Sequence, residues 1–492
     1  MAKRVAVIDI GSNSVGMVVY EKTSRYAFHL LYEEKSKVRI SQNAYKHNGE
    51  LQDAPMQRAF DSLRDFLSIA NSFKVRKILC VATSALRDAP NKQEFLQRVK
   101  HKLKLNIKII SGEKEAYFGA IACANLLPKQ TSALSIDIGG GSTEFAFIHE
   151  DSVADTLSLK LGTVRLKELF FDKDDIDGAV AYIDSELDKL PDTSELTTLI
   201  GIGGTFRAIS NAILKESLYP LNKLHAFEYD SDTFKDYLKR LLQTKSDKEL
   251  LALFIKSNRF DIIKPGALIL QRVIKKIAIS KIITSGVGVR EGVYLSDLLR
   301  NSRHKFPQNY NTSVRYILDS YVQDKTFSNH LALLSKKIFT LTSKYFNLDT
   351  EYKHILTIAA KLYPAGSNVH FYSQNKHNYY IIQSTLEYGF SHCDIMLIST
   401  LAKYAKNKLP SDTHLQLYAK LLPNNIHITY LLSYILSLSI ALLSHRPRNI
   451  DFEMEFKKGT LKINSKEKLY LSQHAVAKLE CKERHFNTIF NS

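Results

Sequence analysis

Asp137 to Glu144 read DIGGGSTE, and 128 positions earlier Asp9 to Ser14 read DIGSNS. Each turn lies between short apolar runs, Val5 to Ile10 and Val15 to Tyr20 around the first, Leu134 to Ile138 and Glu144 to Ile148 around the second. Apolar β-rich runs joined by a Gly/Ser/Asn turn predict hairpins. Ile8, Asp9, Ile10, Gly11 and Ser14 match Ile136, Asp137, Ile138, Gly139 and Ser142 one for one. Two such units, opening two successive segments, predict an internally duplicated fold.

Working outward, the first unit is followed by a helical pattern over Met56 to Phe73, a strand Lys77 to Ala82, a helix Lys92 to Lys104, a strand Ile107 to Ile110 and a helix Lys114 to Leu126. The second is followed by a strand Thr198 to Ile202 running into a Gly-Gly-Thr turn and a helix. Further on, a strand Lys281 to Ser285 precedes a last helix ending at Arg300. This alternation is α/β. Pro307, Asn309 and Asn311 mark a linker over 301–311, after which 312–445 read as apolar-striped helices and 446–492 as a hairpin with a tail.

Glycine-rich turns after strands suit anions, because backbone without a Cβ approaches closely and its N–H groups can surround phosphate oxygens. Gly11, Ser12, Asn13 and Ser14 of the first turn, and Gly139, Gly140, Gly141, Ser142 and Thr143 of the second, are the candidate phosphate-binding residues, with Asp9 at the end of its strand. Neither turn is a P-loop or a dinucleotide-binding GxGxxG. Carboxylates beside phosphate need a hard cation between them, so Asp137 and Glu144 are the metal candidates, with Mg²⁺ expected and Mn²⁺ as the alternative.

Seven stretches occur in one order: DIGSNSVGMVV (9–19), ATSALRDAPN (82–91), IISGEKEA (109–116), DIGGGSTE (137–144), GTVRLKELF (162–170), GIGGT (201–205) and SGVGVREG (285–292). Together they resemble the exopolyphosphatase/guanosine pentaphosphate phosphatase (Ppx/GppA) family of the sugar kinase and actin superfamily. The resemblance implies two duplicated ribonuclease H-like, actin-like ATPase domains, 1–126 and 127–300, around a cleft. It implies metal-dependent hydrolysis of terminal phosphoanhydride bonds of inorganic polyphosphate, of the 5′-phosphate of guanosine pentaphosphate, or of both. It makes Glu115 the base that activates water and Arg87 a phosphate-contacting arginine. A carboxylate with an ordinary pKa of about 4.3 is ionised at neutral pH and can take that proton. Gly203, Gly204 and Thr205 resemble the superfamily's nucleotide-side turn, and Arg290 lies in the family's REG turn.

The chain departs from the family in two places. Many relatives carry an Arg two positions after the second Ser of the first loop, where Gly16 stands here, which removes one cationic contact. The C-terminal helices resemble an all-α HD-type domain, but AAKLYPAG (359–366) puts Tyr363 and Pro364 where a metal-binding version has His-Asp. His330 and His377 alone do not assemble a two-metal centre, so a degenerate, non-catalytic HD-like domain is expected.

Composition sets the remaining expectations. A chain of 492 residues exceeds one core's usual size, and 45% hydrophobic with 24% charged residues is that of a folded globular protein. Residues 301–492 carry 24 Lys+Arg against 13 Asp+Glu, a net of +11 out of +18 overall, which favours polyanions. Cys80, Cys123, Cys393 and Cys481 form no CxxC pair and no signal peptide precedes Met1, so a cytoplasmic location is expected. Ile428 to Ser444 is uncharged and nearly long enough to span a bilayer, but its four serines favour a buried core helix. No membrane and no stable nucleic-acid partner are expected, and a homodimer is left open. The competing function classes are a non-catalytic binder of guanosine alarmones or RNA, and a phosphotransferase, since kinases share the superfamily fold.

Overall fold

The computed structural model describes residues 3–150, 152–405, 409–479 and 486–491, so that Cys481 lies outside the described residues. Two compact units divide the chain at Tyr310/Asn311.

The first unit holds two sheets. The first sheet contains β1 (Arg4–Ile10), β2 (Val15–Lys22), β3 (Phe28–Ser36), β4 (Lys77–Ala82) and β5 (Lys108–Ile109), in the order β3-β2-β1-β4-β5. Its helices are α1 (Asp53–Ser72), α2 (Ser84–Asp88), α3 (Lys92–Leu103) and α4 (Gly112–Leu126). The second sheet contains β6 (Ser132–Ile138), β7 (Thr143–His149), β8 (Ser152–Leu159), β9 (Thr198–Ile202), β10 (Phe227–Asp230) and β11 (Lys281–Thr284), in the order β10-β11-β9-β6-β7-β8. Around it lie α5 (Thr163–Leu169), α6 (Ile176–Leu187), α7 (Gly203–Glu216), α8 (Ser231–Gln243), α9 (Asp247–Ala252), α10 (Phe260–Lys276) and α11 (Val289–Leu298).

These sheets are copies of one plan, with β10 added at one edge of the second. In the first, Asp9 pairs with Gly16 across the hairpin; in the second, Asp137 pairs with Glu144. Even the irregularities coincide, since the β2–β3 register shifts at Val19/Tyr20 and the β7–β8 register at Phe147/Ile148, again 128 positions apart. The duplicated pair of actin-like α/β domains is therefore what the chain forms. Central strands β1 and β6 are buried almost throughout, which is why both read as continuous apolar runs. The third strand of each meander, β3 or β8, is an edge strand that mixes polar and apolar residues, most of them half-exposed or exposed. Helix α1 covers the first sheet with Met56, Ala59, Phe60, Leu63, Phe66 and Ala70, a stripe of helical spacing.

Two helices carry the chain between the domains. α4 starts after β5 and packs on β7 and β8 of the second domain, whereas α11 follows β11 and returns to β1 of the first. They cross so closely that Gly292 lies on the Phe118 carbonyl, where a Cβ would collide. The return is locked by Tyr294, buried and stacked on Tyr20 at 4.5 Å, while the Tyr20 hydroxyl donates to Glu291. The stretch expected as a linker is anchored up to Tyr310: Phe306 and Tyr310 pack on Tyr26, and Asn125 Nδ2 donates to the His304 carbonyl at 2.9 Å.

The second unit is mainly helical, with α12 (Thr312–Tyr321), α13 (Lys325–Thr342), α14 (Glu351–Leu362), α15 (Gln374–Thr385), α16 (His392–Lys403), α17 (Asp412–Leu417), α18 (Ile426–Leu442) and α19 (Tyr470–Lys478). The expected hairpin, β12 (Phe452–Lys457) and β13 (Thr460–Ser465), gains a third strand, β14 (Asn487–Asn491), parallel to β13. α18 is the uncharged stretch, and it is a buried core helix. Ser437 and Ser439 return their hydroxyls to the carbonyls of Ser433 and Ile435 at 2.7 and 2.8 Å, so serine there leaves no unmet donor. No helix among the described residues is long and apolar enough to cross a membrane. At the end of α14, Tyr363 is buried and Gly366 N–H donates to Asn378 Oδ1 at 2.6 Å, so AAKLYPAG serves a packed corner. Cys80 and Cys123 are buried and form no disulfide, and Cys393 is exposed.

Candidate active site

The two turns face each other across the cleft. In the first, Gly11 N–H donates to the Ser14 carbonyl at 3.1 Å; in the second, Gly139 N–H donates to the Ser142 carbonyl at 2.9 Å. Two further carbonyls of each loop are drawn backwards by the chain that follows each meander. Behind the first loop, Ser41 N–H and Arg39 N–H donate to the Ser12 and Asn13 carbonyls at 3.3 and 3.0 Å. Behind the second, the first turn of α5 does the same work: Thr163 N–H reaches the Gly139 carbonyl at 3.0 Å, and Val164 N–H and Arg165 N–H reach that of Gly140 at 2.9 and 3.1 Å.

A peptide's N–H points opposite to its C=O, so turning the carbonyls back leaves the next residues' N–H groups facing away from that backing. The N–H groups of Ser12, Asn13 and Ser14, and of Gly140, Gly141 and Ser142, donate to no protein acceptor among the described residues. Such successive unspent donors form an anion-binding concavity. The loops also touch: a Cβ on Gly140 would stand 2.8 Å from that of Ser12.

Between the loops lies a cavity of about 160 Å³. Asp9, Gly11, Ser12, Asn13 and Ser14 line it from the first domain, and Asp137, Gly139 and Gly140 from the second. Glu115, on the first turn of α4, also lines it, held there by a helix start whose Ser111 hydroxyl accepts from Lys114 N–H at 3.2 Å. Arg87, Gly141, Ser142, Thr143 and Glu144 stand behind this wall. Arg87 donates to Glu115 Oε2 at 3.0 Å and to Ser142 Oγ at 3.3 Å, tying the acid to the second loop. Thr143 is fully buried with its hydroxyl given to the Leu161 carbonyl at 2.7 Å.

Four carboxylates share this buried space, and each is pushed toward its neutral form. Burial raises Glu115 well above the usual carboxylate range, with Glu144 adding to the rise and Arg87 opposing it. Burial takes Asp137 to about 6, with Arg207 resisting. Glu144 rises to about 8 through burial, against hydrogen bonds from Ser142 and Ser158. Asp9 is raised by burial too, and its Oδ1, like Glu144 Oε2, is a buried oxygen without a hydrogen-bond partner. Asp137 lies against Gly203, whose φ of +82° and lack of Cβ admit the carboxylate at the start of α7.

Four cations balance these acids, of which sequence reading names only Arg290, as a lesser site candidate. Gly16 occupies the position equivalent to Glu144, and its vacant side is filled: a Cβ there would meet Arg290 Nη1 at 3.2 Å, while Lys35 is its partner across β2 and β3. Arg290 Nη2 pairs with Glu33 at 2.7 Å, and its Nη1 is buried without a partner. Burial opposes its charge, but Glu291 and Glu33 hold its pKa up. Lys35 is pulled down to about 8 by burial and by the repulsion of Arg259, Arg290 and Arg207. These four side chains separate the cavity from a second one of about 320 Å³, where Lys256 and Phe254 also stand. Arg207, four residues after Gly203 on α7, was within reach of the GIGGT motif. Lys35 and Arg259 carry no local signal, because only sheet pairing and tertiary packing bring them in.

The profile described as Ppx/GppA phosphatase family matches residues 18–301, and that described as Ppx/GppA phosphatase, domain III, matches residues 310–485. A guanosine-5′-triphosphate,3′-diphosphate pyrophosphatase of Photobacterium profundum is 25% identical over 418 residues, covering 82% of this chain and 81% of that one. A bifunctional 3-dehydroquinate synthase/phosphatase of Fusobacterium nucleatum is 29% identical over 297 residues, and the match spans 57% of this chain and 44% of that one. Among solved structures, the Aquifex aeolicus member of the Ppx/GppA family gives a TM-score of 0.53 at 27% identity, covering 61% of this chain and 99% of that one. An exopolyphosphatase from Cytophaga hutchinsonii gives 0.56 at 25% identity, covering 62% and 100%.

Proposed function

Because this chain belongs to the Ppx/GppA phosphatase family, we propose that it hydrolyses the terminal phosphoanhydride bond of inorganic polyphosphate, the 5′-phosphate of guanosine pentaphosphate, or both. One observation carries the reading: a buried, charge-crowded Glu115 at the wall of a cavity flanked by two rows of unspent N–H groups. The names of the relatives, a guanosine pentaphosphate pyrophosphatase and an exopolyphosphatase, support both substrates.

The terminal phosphoryl group sits between the loops, where preorganised N–H dipoles meet the oxygens on which charge develops. The rest of the anion runs past Lys35, Arg207, Arg259 and Arg290. Water attacks the terminal phosphorus, its proton passes to Glu115, the bridging P–O bond breaks and the shortened anion leaves with the bridging oxygen. A pKa above the ordinary range makes Glu115 the stronger base, provided it is ionised. Arg87 holds its carboxylate in place and favours that ionised form.

The donor set fits Mg²⁺, or Mn²⁺ in its place. Hard carboxylate oxygens are present, two of them, on Asp9 and Glu144, buried and unpartnered. No group of three or more His, Cys, Asp or Glu among the described residues could hold a metal ion. Mg²⁺ is usually held by one or two carboxylates, with water and substrate phosphate completing its shell. Asp137 and Glu144 would hold it, and when bound it would neutralise charge on the transferring group. The cytoplasm is the proposed compartment, in keeping with Cys80 and Cys123, which form no disulfide. Side-by-side phosphate-release kinetics on polyphosphate and guanosine pentaphosphate with Mg²⁺ test the proposal; release from neither would end it.

A further inference from the structure

We propose that Arg165 is a positioning residue of the phosphate site, one that couples closure of the two domains to the shape of the second loop; this rests on the hydrolytic reading above. The carbonyls of Gly139 and Gly140 are held by backbone N–H groups of α5, which belong to the same domain and stay with the loop whatever the cleft does. The Gly141 carbonyl is held by a side chain instead, Arg165 Nε at 2.9 Å. Tyr182 of α6 in the same domain also bonds that guanidinium, and two further anchors come from the opposite domain. Nη2 donates to Asp88 Oδ2 at 3.3 Å, and the guanidinium lies over the Tyr45 ring at 4.5 Å. Tyr45 is itself fixed across the cleft, since the N–H groups of Asn43 and Tyr45 donate to the Glu168 carboxylate on α5 at 2.8 and 3.2 Å.

Arg87 runs the other way, from α2 of the first domain to Ser142 of the second. Residues 141 and 142 are thus gripped by two antiparallel arginine arms, with Asp88 beside both. The Arg165 side chain is only 13% exposed, so water does little to replace a contact it loses. When the cleft opens, Tyr45 and Asp88 withdraw, the guanidinium regains its rotamers, and the Gly141–Ser142 peptide loses what keeps its N–H on the phosphate side. Gly141 has no Cβ to resist rotation, and none would fit beneath Tyr45 and Ser84. A lysine supplies the charge but not the planar fork that reaches carbonyl, carboxylate and ring together.

The test compares wild type with R165M, R165K and D88N in full-length protein, using polyphosphate hydrolysis and hydrogen exchange without substrate. Misplacing a loop by about 1 Å can lower turnover on the order of 10²-fold. R165M is expected to lower kcat by at least about tenfold with KM within about threefold, R165K to recover only part, and D88N to fall between. Exchange should quicken at the bonded Gly139 amide within 139–143 and at the bonded amides of 41–47 in R165M. Unchanged exchange at 139–143, or a kcat within about twofold of wild type with only a lower Tm, overturns the proposal. Absence of phosphate release by wild type itself would sink the hydrolytic reading, while the exchange result would still decide whether Arg165 shapes the loop.

Discussion

A carboxylate buried beside three others holds its proton unless something draws it off, and that governs how Glu115 works. Replacement by Gln keeps the shape and removes the base. E115Q should bind polyphosphate and lose on the order of 10²- to 10⁴-fold in kcat, the usual span of a general base, as read by phosphate release against equilibrium binding. In wild type the acidic limb of kcat/KM should lie above the ordinary carboxylate range. The alkaline side has a different owner. Lys35 loses its charge as pH rises through about 8, so kcat/KM should fall above that pH, and K35M should begin lower and show no such limb. Persistence of the limb in K35M would reassign it. Asp9, Asp137 and the loop glycines were legible in the sequence because each belongs to a contiguous motif. The compensation for Gly16 was not, because Arg290 lies 274 positions away and Lys35 reaches it only through strand pairing.

At the scale of elements, the hairpin of β6 and β7 pairs Asp137 with Glu144 under burial, and that arrangement has a thermodynamic signature. Glu144 has a folded pKa of about 8 against an ordinary 4.5, so the folded chain binds more protons than the unfolded one between those values. Its contribution is fully present below about pH 4.5 and is lost as pH rises through about 8. With a chelator present, E144Q should therefore gain Tm relative to wild type as pH rises over that window; a constant difference across it would contradict the assignment. Added Mg²⁺ should narrow the gap by stabilising wild type, since a ligand that binds only the folded state raises its stability. The hairpins and the helices α1, α3, α4, α7 and α11 were readable in the sequence, but α6, α8, α9 and α10 and the strands β3, β8 and β10 were missed. Edge strands with one open face carry Glu, Lys, Asp and Ser that dilute any apolar run, and their register comes from the neighbouring strand.

For the whole molecule, the first unit contains every residue assigned to the chemistry, and the solved Aquifex aeolicus and Cytophaga hutchinsonii relatives are matched by about that much of the chain. The second unit falls within residues 301–492, which carry a net of +11. A basic helical body is suited to holding the distal part of a long polyanion. Removing residues 311–492 should weaken hydrolysis of long polyphosphate more than of tripolyphosphate, and equal losses would count against that role. The duplication was visible from two short motifs, whereas the role of the second unit is not carried by any motif, because AAKLYPAG has become a packed corner around buried Tyr363. The most direct test of the central claim is phosphate release by wild type and E115Q, on polyphosphate and on guanosine pentaphosphate, with Mg²⁺ present. Release by wild type from at least one substrate, lost in E115Q while binding persists, is the predicted result; turnover by E115Q equal to wild type, or release from neither substrate, would contradict it.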